Sequence, residues 1–306
     1  MQEQQKEVIA SRYDMKMHDD EIATDVQLVR QLLRSQFPQW AELPVARVSS
    51  AGTDNAMYRL GEALAVRLPR IHWAMDNVAK EQQWLPLLAP QLPLAVPVPV
   101  AVGRPEKTFP YPWSVVHWLP GEMATLAKLD DPVQAARDLA AFVLALQKVD
   151  PAQGPRHNRG GPVRLADPVI RKNITELQGE VDPAAFIAAW EKVLAVDDYQ
   201  GPPVWFHGDL SYLNLLAAAG QLTAVIDWGT CGVGDPAIES IIAWSLFPPE
   251  ARQAYREALE VDDATWERGK GWVLTGIAGV TYYRDTNPAL VADKLSAITA
   301  VLSESD

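Results

Sequence analysis

The chain has 306 residues, 48% of them hydrophobic, and a formal net charge of −12. That length and apolar content suffice for one large domain or for two lobes sharing a cleft, and they exclude disorder as a global description. The acidity argues against a nucleic-acid partner, since phosphate backbones are held by clustered Lys and Arg, and it leaves a cationic small molecule compatible.

Cys231 is the only cysteine, so no intrachain disulfide forms and no oxidising compartment is required. It reads as a small packing residue. The N-terminal segment has no apolar signal region. The longest apolar run, Leu92–Val102, is short and broken by Pro93, Pro97 and Pro99, so it cannot span a bilayer. The expectation is a cytoplasmic protein with no membrane segment; its oligomeric state is not legible.

In chain order, Glu21–Phe37 carries Ile22, Val26, Val29, Leu32 and Leu33 at helical spacing and is stopped by Pro38, which predicts an amphipathic helix. Val45–Leu68 changes period and predicts three short antiparallel strands. Lys80–Leu88 reads as helix, the Pro-rich run to Pro99 as an extended connector, and Trp113–Leu119 as a strand closed by Pro120-Gly121. Asp131-Pro132, an N-cap followed by a first-turn proline, opens a helix to about Val149. A loop over Pro151–Pro168 leads to helix near Pro183–Val196. A hairpin-like stretch, Val204–Asp227, follows. From Pro236 the chain is helical again, with breaks at Pro248-Pro249 and Asn287-Pro288. The fold class is therefore α+β: a small antiparallel half, then a mainly helical half.

The informative segment is His207-Gly208-Asp209-Leu210-Ser211-Tyr212-Leu213-Asn214, followed by Ile226-Asp227-Trp228-Gly229. It fits the kinase catalytic-loop pattern H-x-D-L-x-x-x-N, with Asp-Trp-Gly where protein kinases have Asp-Phe-Gly. Phosphoryl transfer needs an aligned hydroxyl and metal-neutralised phosphate charge more than covalent help. Asp209 would accept or orient the acceptor hydroxyl. Leu215-Leu216 and Leu222–Ile226 read as two strands around an Ala218-Ala219-Gly220 turn. Asn214 and Asp227 then emerge side by side at the open end, where an amide oxygen and a carboxylate suit Mg²⁺. Taken singly, Asp209 and Asn214 also read as turn residues and Asp227 as a strand-ending cap. His207 reads as a brace for the loop rather than a base.

Gly232-Val233-Gly234-Asp235-Pro236-Ala237 nominally fits a dinucleotide fingerprint. No strand runs directly into it, and Asp235-Pro236 is better read as an N-cap and first-turn proline. In the first half, Ser49–Asn55 lies between two strands, where Ser50, Gly52 and Asn55 permit backbone amides to approach phosphates; an ordinary hairpin turn fits equally. Arg67 on the third strand and Glu81 on the following helix stand where a kinase places its phosphate-binding cation and partner carboxylate. Alone, they would read as a surface arginine and a solvated glutamate.

From about Val45 to Trp244 the chain resembles the aminoglycoside phosphotransferase family. The likeness rests on Ala65–Pro69, Trp118–Glu122, His207–Asn214, Ile226–Gly229 and Gly234–Ala237. The resemblance implies a protein-kinase-like two-lobe fold, with a nucleotide-binding lobe over 1–117 and a catalytic, acceptor-binding lobe over 118–306. It also implies an adenine-binding linker near Val115–Trp118, through Val116, His117 and Trp118. The implied activity is transfer of phosphate from ATP or GTP, with Mg²⁺, to a hydroxyl of an aminoglycoside-like or other antibiotic. A metabolite kinase and a nucleotide-sensing pseudokinase are the alternatives. Arg67 departs from the lysine of protein kinases, Glu239 stands where relatives commonly have Asp, and Ser211-Tyr212-Leu213 replaces smaller residues.

Overall fold

The computed structural model describes residues 21–48, 54–177 and 179–304. Two compact units emerge: one runs through Pro90 and resumes at Ala95–Pro120, and the other takes Gln91–Leu94 and the chain from Gly121.

The first unit is built on a five-stranded antiparallel sheet of β1 (Val45–Arg47), β2 (Asn55–Leu60), β3 (Leu64–Pro69), β4 (Pro99–Gly103) and β5 (Trp113–His117), in the order β1-β2-β3-β5-β4. Helix α1 (Val26–Gln36) packs Val29, Leu32 and Leu33 into a core with Tyr58, Leu60, Val66, Leu68, Phe109, Trp113 and Val115. It starts later than its apolar spacing predicts. Asp25 adopts an extended conformation and accepts the Leu28 N–H, while the Ile22 N–H is taken by the Arg70 carbonyl. A local cap and a tertiary hydrogen bond override periodicity there. Helix α2 (Met75–Leu88) follows β3.

Strand β4 is absent from the sequence reading, which makes the proline run a connector. Pro99 is tolerated because β4 is an edge strand and begins with the proline. Ser50 and Gly52 lie outside the described residues. Asn55 opens β2, opposite Pro69.

The second unit is mainly helical. Helix α3 (Pro132–Gln147) is capped by Asp131, α4 spans Asp167–Glu176, and α5 (Pro183–Leu194) is capped by Asp182. Helices α6 (Ile242–Ser245), α7 (Pro249–Leu259), α8 (Asp263–Leu274), α9 (Ile277–Tyr283) and α10 (Pro288–Ser303) complete it. An Asp or Asn before a first-turn proline recurs at α3, α5 and α10, and each such cap is worth about 0.5–2 kcal/mol. Helix α4 lies partly where the sequence predicts loop, because its buried face is only Ile170, Asn173 and Ile174.

The Val204–Asp227 stretch is not one hairpin. Strand β7 (Val204–Phe206) pairs with β10 (Gly232–Gly234), while β8 (Leu215–Ala218) pairs with β9 (Gln221–Val225) and with the short β6 (Glu122–Met123). No described helix is long and apolar enough to cross a membrane.

Gly103 ends β4 against Trp113. A Cβ there would fall 2.0 Å from the indole Cε2 of that buried ring. Gly103→Ala is therefore expected to cost about 1–3 kcal/mol through overpacking, read as a lower urea midpoint with an unchanged slope. An unchanged midpoint would mean that the strand slides away without cost.

Candidate active site

The central loop starts where β7 delivers His207. This side chain is fully buried, and the Asp209 N–H donates to its Nδ1 at 3.2 Å. With Nδ1 accepting, Nε2 carries the proton and donates to the Ile226 carbonyl, 3.0 Å away. Burial pulls the His207 pKa down, against the raising influence of Asp209 and Asp227, so the ring is neutral, as these two bonds require. The brace role expected for His207 is what the geometry shows.

Gly208 follows at φ +84°, and a Cβ there would lie 2.9 Å from the Thr230 carbonyl. The turn needs glycine. Its N–H donates to Oε1 of Glu239 at 2.8 Å. Glu239 is buried, its backbone carbonyl accepts from the Tyr255 hydroxyl at 3.0 Å, and burial pushes its carboxyl up to about 7 against the pull of the Gly208 and His207 amides.

Asp209 keeps 43% of its side chain exposed. Arg159 donates to its Oδ1 at 2.7 Å and to the Gly208 carbonyl at 2.7 Å, while Nδ2 of Asn214 donates to Oδ2 at 3.1 Å and to the Asp209 backbone carbonyl at 2.9 Å. The crowding of protein atoms around the carboxyl would raise its pKa. Arg159, then Lys294 and His207, outweigh that and hold it below the usual value.

The Asn214 backbone carbonyl accepts the Ile226 N–H at 2.9 Å, and Leu215 pairs with Val225. The hairpin thus sets Asn214 beside the end of β9. Asp227 then turns the chain with a left-handed backbone, φ 63°. Since Nδ2 of Asn214 is committed to Asp209, its Oδ1 is the end left for a cation, beside a strand end that carries a carboxylate. Among the described residues no group of three His, Cys, Asp or Glu could hold a metal. Two hard oxygens instead fit Mg²⁺, which retains water and phosphate ligands.

In the first unit, Arg67 on β3 and Glu81 on α2 form a buried ion pair, Nη1 to Oε2 at 2.5 Å. The surface reading of these two is therefore wrong, for an unpaired charge at this depth would cost several kcal/mol. Val116 is buried in β5, His117 is exposed at its end, and the Trp118 N–H is taken by the Ala63 carbonyl while Arg59 lies 4.1 Å over its ring.

Asp235 caps Ala237 ahead of Pro236, as the sequence indicates, and also pairs with the buried Arg268. Arg159, Asp293 and Lys294 are missed by sequence reasoning. They lie about fifty or more residues from Asp209, and no spacing rule links them to it. Tyr212 donates its hydroxyl to Asp293.

The phosphotransferase enzyme family matches residues 45–272. Among solved structures, the GDP complex of wild-type aminoglycoside 2'-phosphotransferase-IIIa is similar with TM-score 0.74, 16% identity, and coverage of 92% of this chain and 100% of that one. The streptomycin-ATP ternary complex of APH(2")-IIa gives 0.59, 16%, 84% and 91%. The apoenzyme of macrolide 2'-phosphotransferase MphH from Brachybacterium faecium gives 0.56, 24%, 90% and 97%. The fold is thus the kinase-like α+β fold of these phosphotransferases. No curated protein sequence matches.

Glu239 gives this site a pH signature. Below about 4.5 it is protonated whether the chain is folded or not. As pH rises toward about 7, only the unfolded chain releases the proton, so folding stability falls across that window by on the order of 3 kcal/mol and then levels. Glu239→Gln, neutral throughout, is expected to flatten this part of the stability curve and to be the more stable form above it. Parallel curves for the two proteins in urea titrations would contradict the assignment.

Proposed function

We propose that this chain, which belongs to the phosphotransferase enzyme family, transfers the terminal phosphoryl group of ATP or GTP to a hydroxyl of a small molecule. The observation that carries this reading is the loop in which Asp209 is ionised, held on one oxygen by Arg159 and on the other by Asn214, yet still 43% exposed.

In the proposed step the acceptor oxygen forms a bond to the terminal phosphorus, the bond from that phosphorus to the bridging oxygen breaks, and the nucleoside diphosphate leaves. Asp209 orients the hydroxyl and accepts its proton, the work of an acid–base group worth about 10²–10⁴-fold. Arg159 and Asn214 keep both carboxylate oxygens in fixed positions as this happens. Mg²⁺ would be held by Asn214 and Asp227, and when bound it neutralises phosphate charge. Arg67, oriented by Glu81, is assigned to nucleotide phosphates. Its planar guanidinium offers a fork of donors where a lysine offers a point charge. Ser50, Gly52 and Asn55 are assigned to the phosphate-approaching loop, and Val116, His117 and Trp118 to the nucleotide base.

The similarity to aminoglycoside and macrolide phosphotransferases supports an antibiotic acceptor. A metabolite acceptor is the second reading, supported by the cationic side chain of Lys294 near Asp209. The completeness of Asp209, Asn214 and Asp227 speaks against a non-catalytic nucleotide sensor. The proposed setting is the cytoplasm, where both nucleotides are supplied.

The reading is tested by nucleotide turnover with Mg²⁺ across aminoglycosides, macrolides, sugars and hydroxy acids. Wild-type protein is expected to release diphosphate in an acceptor-dependent way. Asp209→Ala should lower kcat by about 10²–10⁴ while nucleotide affinity and circular dichroism hold. A folded variant with near-normal kcat would remove Asp209 from the reaction.

A further inference from the structure

Helix α10 brings two charged neighbours to the loop. Asp293 is committed to the Tyr212 hydroxyl, three residues beyond Asp209. Lys294, the next residue, has no hydrogen bond and no carboxylate within ion-pair distance among the described residues. Asp209 is already held by Arg159 on one oxygen and by Asn214 on the other, and it makes no ion pair with Lys294.

The course of the Lys294 stem is also built in. It runs across α9 at Gly279, where a Cβ would come within 2.7 Å of Cε, 3.0 Å of Cδ and 3.4 Å of Nζ. A glycine inside a helix gives up about 1 kcal/mol relative to alanine. Here it leaves the space through which the lysine passes. Burial lowers the Lys294 pKa, and the charges acting on it after that are Asp209, Arg159 and Asp293. Lys294 is partly buried, its charge acts on the carboxylate proposed to receive the acceptor, and the described residues supply it with no hydrogen-bond or ion-pair partner.

We propose that Lys294 and Arg159 form an anion seat beside Asp209, and that the acceptor carries a carboxylate or phosphate close to the hydroxyl it presents. The inference rests on the phosphotransferase reading and specifies its substrate class. A polyamine such as an aminoglycoside would bring ammonium groups against these two cations. A hydroxy acid or a phosphorylated polyol would give Lys294 the partner the protein does not supply. Asp293, tied to Tyr212, fixes the segment that carries the lysine.

Calorimetry on the full chain, loaded with Mg²⁺ and either GDP or ADP, tests this with D-gluconate, glycerol 3-phosphate, glucose and kanamycin as probes. At least one anionic probe is expected to bind tenfold or more tightly than glucose, with kanamycin weakest, and the comparison of gluconate with glycerol 3-phosphate identifies the anion. In Lys294→Met that advantage should fall about tenfold with nucleotide affinity unchanged. Gly279→Ala, which displaces the lysine stem rather than removing its charge, should lose part of it.

The anion seat is overturned if neither anionic probe outbinds glucose, if kanamycin binds best, or if the preference survives in Lys294→Met. Turnover of kanamycin by the wild-type protein at a higher kcat/KM than either anionic probe would sink the seat and leave phosphoryl transfer standing. Failure to bind any Mg-nucleotide would sink phosphoryl transfer, and the anion preference would still be read on the protein without nucleotide.

Discussion

Ile226, the residue before Asp227, is gripped from both ends of the His207–Asn214 loop. The Nε2 proton of His207 goes to the Ile226 carbonyl, and the Ile226 N–H goes to the Asn214 carbonyl. This residue, just past the end of β9, thereby fixes where the loop begins, where it ends, and where Asp227 leaves the hairpin. Asp209 sits inside that clasp, so its position follows from backbone bonds that are themselves anchored in a hairpin. The hairpin in turn depends on a two-residue turn in which Ala219 and Gly220 both have positive φ, the geometry that suits the twist of paired strands.

The electrostatics of the loop work through these fixed atoms. Three buried or half-buried groups are driven in different directions by their surroundings. His207 is kept neutral by burial, Asp209 is kept ionised by Arg159 and Lys294 despite its crowded surroundings, and Glu239 is pushed toward its neutral form. For His207 and Asp209 the state is the one their hydrogen bonds need. A charged His207 would present a proton to the Asp209 N–H, and a protonated Asp209 would forfeit part of its attraction for Arg159. Glu239 is the exception that costs stability, since it carries a carboxyl into the core to meet the backbone amides of Gly208 and His207.

The parts of this arrangement that were legible in the sequence are those carried by local spacing. The Asp209–Asn214 interval, the hairpin turn and the placement of Asp227 lie within about twenty residues, where strand pairing alone decides which side chains meet. Asp131 and Asp235 were legible for the same reason, since a capping residue and a following proline announce a helix start without tertiary help. The reading failed where distant chain segments supply the physics. Strand β4 exists because β5 offers it an edge, and β7 turns away from its sequence neighbours to pair with β10. Arg159, Asp293 and Lys294 reach the loop only through the packing of the second unit. Arg67 and Glu81 were located by analogy, but their burial as a pair came from the sheet and α2 closing over them.

On the proposed reading, the open end of the β8–β9 hairpin is a metal site shared by Asn214 and Asp227. The direct measurement is a double-mutant cycle of Asn214→Ala and Asp227→Ala in kcat/KM at several Mg²⁺ concentrations, with folding checked by circular dichroism. Loss of a full negative charge should make Asp227→Ala the more severe variant, and the double variant should be little worse than it, as for groups that act as one unit. Raised Mg²⁺ should partly restore Asn214→Ala and hardly restore Asp227→Ala. Fully additive losses that ignore Mg²⁺ would show that the two residues do not share an ion.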